Sequence, residues 1–309
     1  MRKLLLILSI VLLLFSCAKE DDEDSGFSIV AADFPSYDAA RAITGSSDNI
    51  VMLLPSGTES HSYDPTPRDM IRIAKSDLVV YTGGPSDEWV RTIISSLDNP
   101  PASFALTDQV ELLTEEHVEG MEEEEEHDHD HNEHEIDEHV WTSPLNEIVI
   151  IRNLADAMKT LNPVMEDSYE INATEYIADI RKLDEAFRAI VDNSKRNTLI
   201  FASRFPLLYF VNEYGLEYYA AFPGCAEESE PSARTVAFLI DKARELEVPC
   251  ILNIEMSSPM IANVIAEEAG CDVRVFNTLH NVSASDFYSG KNYVDLMGEN
   301  IEVLREALN

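Results

Sequence analysis

Positive charge is scarce in this chain: 309 residues hold 22 Lys and Arg against 58 Asp and Glu, a formal net charge of −36. Between residues 111 and 139 there is no Lys or Arg at all. With no basic stripe to neutralise phosphates, nucleic-acid binding is disfavoured, whereas the negative field favours cationic ligands. Cysteine is scarce too. Cys17, Cys225, Cys250 and Cys271 show no Cys-x-x-Cys spacing, which excludes a thiolate zinc cluster of the usual kind. Cys250 and Cys271 each begin an apolar, strand-like run, so they read as buried thiols or, on neighbouring strands, as a disulfide. A long hydrophobic run is also lacking, because the apolar stretch from Leu4 to Phe15 is too short for a comfortable membrane span.

That stretch has the right length for a signal-peptide core, and Arg2 and Lys3 precede it. Leu14-Phe15-Ser16-Cys17 resembles a bacterial lipoprotein cleavage box, with Phe15 a less usual occupant. Residues 1–17 are therefore expected to be a signal peptide ending in a lipidated Cys17, followed by an acidic tether over 18–26. This places the protein outside the cytoplasmic membrane, anchored to it by lipid. Fifteen of the acidic residues lie in 111–139 and five more in 20–24, so over half of the net charge sits in two short stretches.

Histidine is the residue whose placement informs most. There are eight, and His117, His127, His129, His131, His134 and His139 fall in one window, interleaved with carboxylates. Imidazole mixed with carboxylate suits borderline divalent metals, zinc above all. A solvated acidic linker with incidental histidines is the bland alternative. A hydrolytic zinc helix is the other rival. His134 and His139 are five apart, whereas the protease patterns need four, and five residues turn about 500° along a helix, so the two side chains would diverge.

The rest reads as α/β. Phe27 to Asp33, Ile50 to Leu54 and Asp77 to Thr82 are short apolar runs separated by helical lengths, the signature of parallel βα repeats. Ser143-Pro144-Leu145 opens a helix to about Leu161, and Asn162-Pro163 restarts another that continues to about Asp192. Thr198 to Ala202, Tyr218 to Phe222, Cys250 to Ile254 and Val273 to Phe276 are again strands. The expectation is two lobes, each a small, mainly parallel sheet flanked by helices, joined by one long helix. Residues 27–145 form the first lobe, including an acidic His-rich insert at 111–137; 146–196 hold the linking helices; 197–309 form the second lobe.

His61-Ser62-Tyr63-Asp64-Pro65-Thr66-Pro67-Arg68-Asp69 resembles the first ligand motif of the zinc and manganese substrate-binding lipoproteins of ABC importers. His139-Val140-Trp141-Thr142-Ser143-Pro144 resembles their second, Pro223 to Ser232 and Ile254-Glu255 match in order and spacing, and the likeness covers residues 27 to 309. Without the family, each of the two histidines still sits in or beside a strand-to-helix loop stiffened by proline, where α/β folds collect ligands. The resemblance implies a third ligand where this chain has Arg204, which has no lone pair to give. It implies a fourth, an Asp, near Asn277 or Thr278. Candidates to fill the gap are His280, Glu255 and Glu59, with Cys225 behind them; Glu255 is equally a salt-bridge partner for Arg204.

The reading is an extracytoplasmic, monomeric zinc-binding protein that passes metal to an ABC permease and is not an enzyme. Zn2+ is the expected cargo, with Mn2+ or ferrous iron as the alternative within the class. The insert histidines His117, His127, His129, His131 and His134 are expected to collect metal loosely for the His61 and His139 site, with affinity falling as pH drops through about 6.5. A metal-dependent hydrolase drafting Glu59 or Asp64, and a storage or adhesin role, are the readings from other classes.

Overall fold

The computed structural model describes residues 26–58, 63–122, 136–226 and 230–309. Its first half alternates β1 (Ile29–Ala31), α1 (Phe34–Thr44), β2 (Ile50–Met52), α2 (Pro67–Lys75), β3 (Leu78–Tyr81), α3 (Glu88–Ser96) and β4 (Ala102–Ala105). The strands pair in parallel in the order β2-β1-β3-β4, with Ile29 opposite Ile50 on one side and Leu78 on the other. Strand β4 is one the sequence pattern leaves unmarked. Ala-Ser-Phe-Ala has one large apolar side chain, and its pairing with Leu78–Tyr81 makes it a strand where local propensity is weak.

Two helices follow, α4 (Pro144–Leu161) and α5 (Glu166–Asp192). Helix α4 starts where the sequence predicts, because the Ser143 hydroxyl accepts from the Asn146 amide and Pro144 occupies a position whose missing N–H costs nothing. Helix α5 spans 27 residues, about 40 Å. Its buried face, Tyr169, Ala173, Tyr176, Ile177, Ile180, Leu183, Phe187 and Ile190, keeps helical spacing throughout.

The second half runs β5 (Thr198–Phe205), α6 (Leu208–Tyr214), β6 (Glu217–Pro223), α7 (Ala233–Glu245), β7 (Cys250–Ile254), α8 (Met260–Ala269), β8 (Asp272–Phe276), α9 (Ala284–Ser289) and α10 (Tyr293–Ala307). Its sheet is parallel in the order β6-β5-β7-β8. The fold is thus α/β with two small parallel sheets and one long helix, as expected. Strands β7 and β8 are neighbours, yet Cys250 faces Asp272 in the register and Cys250 and Cys271 both remain thiols.

Helix α5 packs on α1 from one lobe and α10 from the other. One apolar cluster runs from Ile29 and Phe34 through Ile180 and Phe187 to Phe201, Phe276 and Leu304, so the lobes share a core. A shared, close-packed core resists a wide hinge opening and leaves loop and small lobe shifts as the available motion. In each sheet the strand order reverses at its centre, between β1 and β3 and between β5 and β7. Ligands of open α/β sheets collect beyond the carboxyl ends of such strands. Among the described residues no helix is long and apolar enough to cross a membrane.

Candidate metal centre

His139 is buried, and its ring Nδ1 lies 2.9 Å from Asp137 Oδ1, which also accepts from the His139 backbone amide at 2.8 Å. A carboxylate accepts, so Nδ1 carries the proton and Nε2 keeps the lone pair: the tautomer and orientation of a metal ligand, held by an outer carboxylate. Burial pulls the His139 pKa down, but the attraction of Asp137, its hydrogen bond and the nearby Glu138 outweigh it, and the net shift is upward from 6.5. Asp137 is itself fixed, because its carbonyl accepts from Tyr209 Oη at 2.8 Å and its amide donates to the Leu113 carbonyl at 2.9 Å.

His280, from the loop after β8, faces His139 edge-on with ring centroids 5.0 Å apart. Trp141 stacks on His280 at 6.2 Å, and its Nε1 donates to the Thr278 carbonyl at 2.9 Å, so the second histidine motif clamps the loop bearing the second-lobe histidine. Tyr293 Oη in turn donates to the Trp141 carbonyl at 3.0 Å.

Arg204 stands near the carboxyl end of β5, buried, with Nη2 3.1 Å from His280 Nδ1. Guanidinium only donates, so the His280 Nδ1 accepts and the proton of that neutral ring is on Nε2. In this arrangement His280 turns an N–H, not a lone pair, away from Arg204. Glu255, just past β7, accepts from the Thr278 amide at 2.7 Å and the Thr278 hydroxyl at 2.8 Å. Both oxygens are engaged by Thr278 rather than by an ion pair with Arg204. Burial pushes the Glu255 pKa up to about 7 against the lowering effect of those hydrogen bonds and, more weakly, of Arg204. Arg204, Glu255, Thr278, His280, Asn281 and Gly57 line one cavity of about 190 Å³.

The loop that carries the first histidine motif reaches the same place at its described edges. Gly57 N donates to the Val282 carbonyl at 2.9 Å, and Asn281 Nδ2 donates to the Pro55 carbonyl at 3.2 Å and to the Thr58 carbonyl. On its far side, Thr66 and Asp69 form a reciprocal capping box on α2 with Pro67 in the first turn, which explains the Pro-Thr-Pro-x-acid part of the motif as a helix start. Tyr63 Oη donates to Asp69 at 2.9 Å. His61 and Glu59 themselves lie outside the described residues, as do His127, His129, His131, His134 and Cys17. His117 is described and exposed.

Beside His139, Glu138 is buried, with Oε2 accepting from the Ser86 amide at 3.0 Å. A Cβ on Gly84 would stand 2.0 Å from Glu138 Oε2, so only glycine admits this carboxylate. Burial raises the Glu138 pKa, and His139 partly offsets it. The two flanks of the acidic insert are tied together by an antiparallel bridge between Thr114 and Ile136. Its entry is docked on the second lobe: Glu122 N donates to the Ala221 carbonyl at 3.0 Å, and Glu115 accepts from the Cys225 amide at 2.8 Å. Sequence reasoning gave no role to Asp137, Glu138 or Trp141. Adjacency to His139, and for Trp141 its place inside the second histidine motif, is the available signal.

A family model described as zinc-uptake complex component A, periplasmic, matches residues 29–307. The high-affinity zinc uptake system protein ZnuA of Bacillus subtilis is 31% identical over 315 residues, covering 99% of this chain and 97% of its own length. The zinc-binding lipoprotein AdcA of Streptococcus pneumoniae is 29% identical over 311 residues, and the chain spans only 61% of that relative's length. The solved Zn(II)-bound ZnuA-like domain of that AdcA superposes with a TM-score of 0.76 at 26% identity, over 91% of this chain and 98% of the domain. The matched family consists of substrate-binding proteins for transport, not enzymes. With a parallel sheet in each lobe and the matched residues running almost end to end, the chain belongs to the family of zinc-uptake complex component A proteins.

Proposed function

We propose that this chain captures zinc outside the cytoplasmic membrane and delivers it to an ABC-type permease. The observation that carries the reading is His139, buried between the lobes and fixed by Asp137 in the tautomer a metal needs, facing His280 across the cleft. We assign His61 and His139 as the primary ligands, with His280 joining when Arg204 withdraws from its Nδ1. Glu255 holds the Thr278 to His280 loop, and Glu59 flanks His61. Zinc is favoured over manganese by the nitrogen-rich donors. Lipidation at Cys17, a monomeric state, the 27–145 and 197–309 lobes, and metal collection by His117, His127, His129, His131 and His134 belong to the same proposal.

The test is bound-metal identity and stoichiometry for the intact protein beside a His61→Ala, His139→Ala double variant. Zinc retained by the intact protein and lost by the variant is expected. Equal zinc in both would end the assignment. For delivery, a strain lacking the gene should grow poorly under chelation and recover with added zinc; unimpaired growth would argue for storage instead.

A further inference from the structure

Three donor groups of different chemistry meet at one point of this cleft: a carboxylate oxygen of Glu138, a ring nitrogen of His139 and the sulfur of Cys225 all lie within 4.8 Å of one another. Ligands at about 2.0–2.3 Å from a tetrahedral zinc ion stand roughly 3.3–3.8 Å apart, so a contraction of at most about 1.5 Å would close the trio on a metal. Loop shifts of that size are what the shared core leaves available.

The trio is placed by the fold from both lobes. Glu138 and His139 come from just past the acidic insert, and Cys225 from the turn after β6. Gly224 makes the approach possible: a Cβ there would stand 3.0 Å from the Phe205 carbonyl, 3.2 Å from Pro206 Cα and 3.4 Å from Asp137 Oδ2. Glycine therefore lets the turn press against the strand of residues that orients His139. The Cys225 amide is then pinned by Glu115 at 2.8 Å.

We propose that, while Arg204 stays on His280, Cys225, as thiolate, and Glu138 join His139 as ligands of the captured zinc, in place of the donor lost where Arg204 stands. The proposal rests on the zinc-capture reading above. Charge supports it. Arg204 brings a positive charge to a cleft that must also take a divalent cation, and neutral imidazoles cannot offset that. A thiolate and a carboxylate supply two negative charges beside the ion. Sulfur in the shell also selects zinc over manganese. As the sulfur–zinc bond forms, the thiol proton is released to solvent.

X-ray absorption on the zinc-loaded full-length chain reads the shell without any variant, and one sulfur scatterer at about 2.3 Å is expected. Cobalt-loaded protein should show a sulfur-to-cobalt charge-transfer band that Cys225→Ser abolishes and Cys271→Ser keeps. Cys225→Ser should weaken zinc binding by at least the roughly 10- to 100-fold that loss of an outer partner costs. Bound zinc surrounded only by nitrogen and oxygen would overturn this assignment and leave zinc capture intact. An intact chain that takes up no zinc would overturn both.

Discussion

Arg204 donates to His280 across 3.1 Å, and this one contact decides which nitrogen of the second-lobe imidazole holds its lone pair. The guanidinium occupies the place where the family resemblance implies a metal donor, and it holds the nearby histidine in a donor tautomer as well. Arg204→His removes a cation, adds a lone pair and releases His280. Zinc affinity of that variant should rise by roughly tenfold or more, ~1.4 kcal/mol, measured by competition with a chromophoric chelator. Unchanged affinity would mean that Arg204 swings clear of the metal in the wild-type protein.

Asp137 is the buried carboxylate that gives His139 its tautomer, through an Nδ1 contact of 2.9 Å. An amide in its place can donate or accept, so the ring loses its fixed orientation while the packing survives. Asp137→Asn should lower zinc affinity by roughly 10- to 100-fold with little change in thermal stability. Titration calorimetry beside a melting curve separates the two, and a variant that binds as the wild type does would show that the Asp137 carboxylate does not set the His139 tautomer.

How much of this was legible in the sequence depends on whether a contact is local. His139 and the position of Arg204 are legible, because a short motif or its violated slot marks each of them. The long helix is legible, because Tyr169 to Ile190 keep one period over many turns. Strand β4 is not, since Ala102–Ala105 owes its state to a neighbouring strand. The meeting of Glu138 with Cys225 is illegible for a sharper reason: the partners come from different lobes, and the pairing leaves no spacing that a single chain could show. The acidic composition of 111–137 marks an insert but not its anchoring, since its ends carry specific contacts to Ala221, Tyr209 and Cys225.

Those contacts change how the collector role must be tested. Removing residues 117–137 would take Asp137 away from His139 and so damage the centre itself. Deleting 123–135 spares Asp137, Glu122 and the Thr114 to Ile136 bridge. Equilibrium affinity of the central site should then be preserved while the rate of zinc capture at nanomolar metal falls, because the tethered imidazoles no longer raise the local concentration. Stopped-flow capture with and without the segment gives the answer, and identical rates would strip the insert of this function.

Glu147 lies in the first turn of α4, buried, and its Oε2 finds no hydrogen-bond partner among the described residues. Burial, and then the charge of Asp38, push its pKa well above 4.5. Between the unfolded pKa near 4.5 and the raised folded value, the native state holds a proton that the unfolded state has released. Stability contributed by the protonated group is therefore fully present below about 4.5 and is lost as pH rises through the folded pKa. Glu147→Gln keeps the shape and cannot ionise. It should raise Tm at pH 8 by roughly 2–4 °C, corresponding to ~1 kcal/mol, and change it little at pH 4. Calorimetric melts of both proteins across that range test the sign, and a gain that is larger in acid than in base would show that Glu147 is ionised and held by a counter-charge.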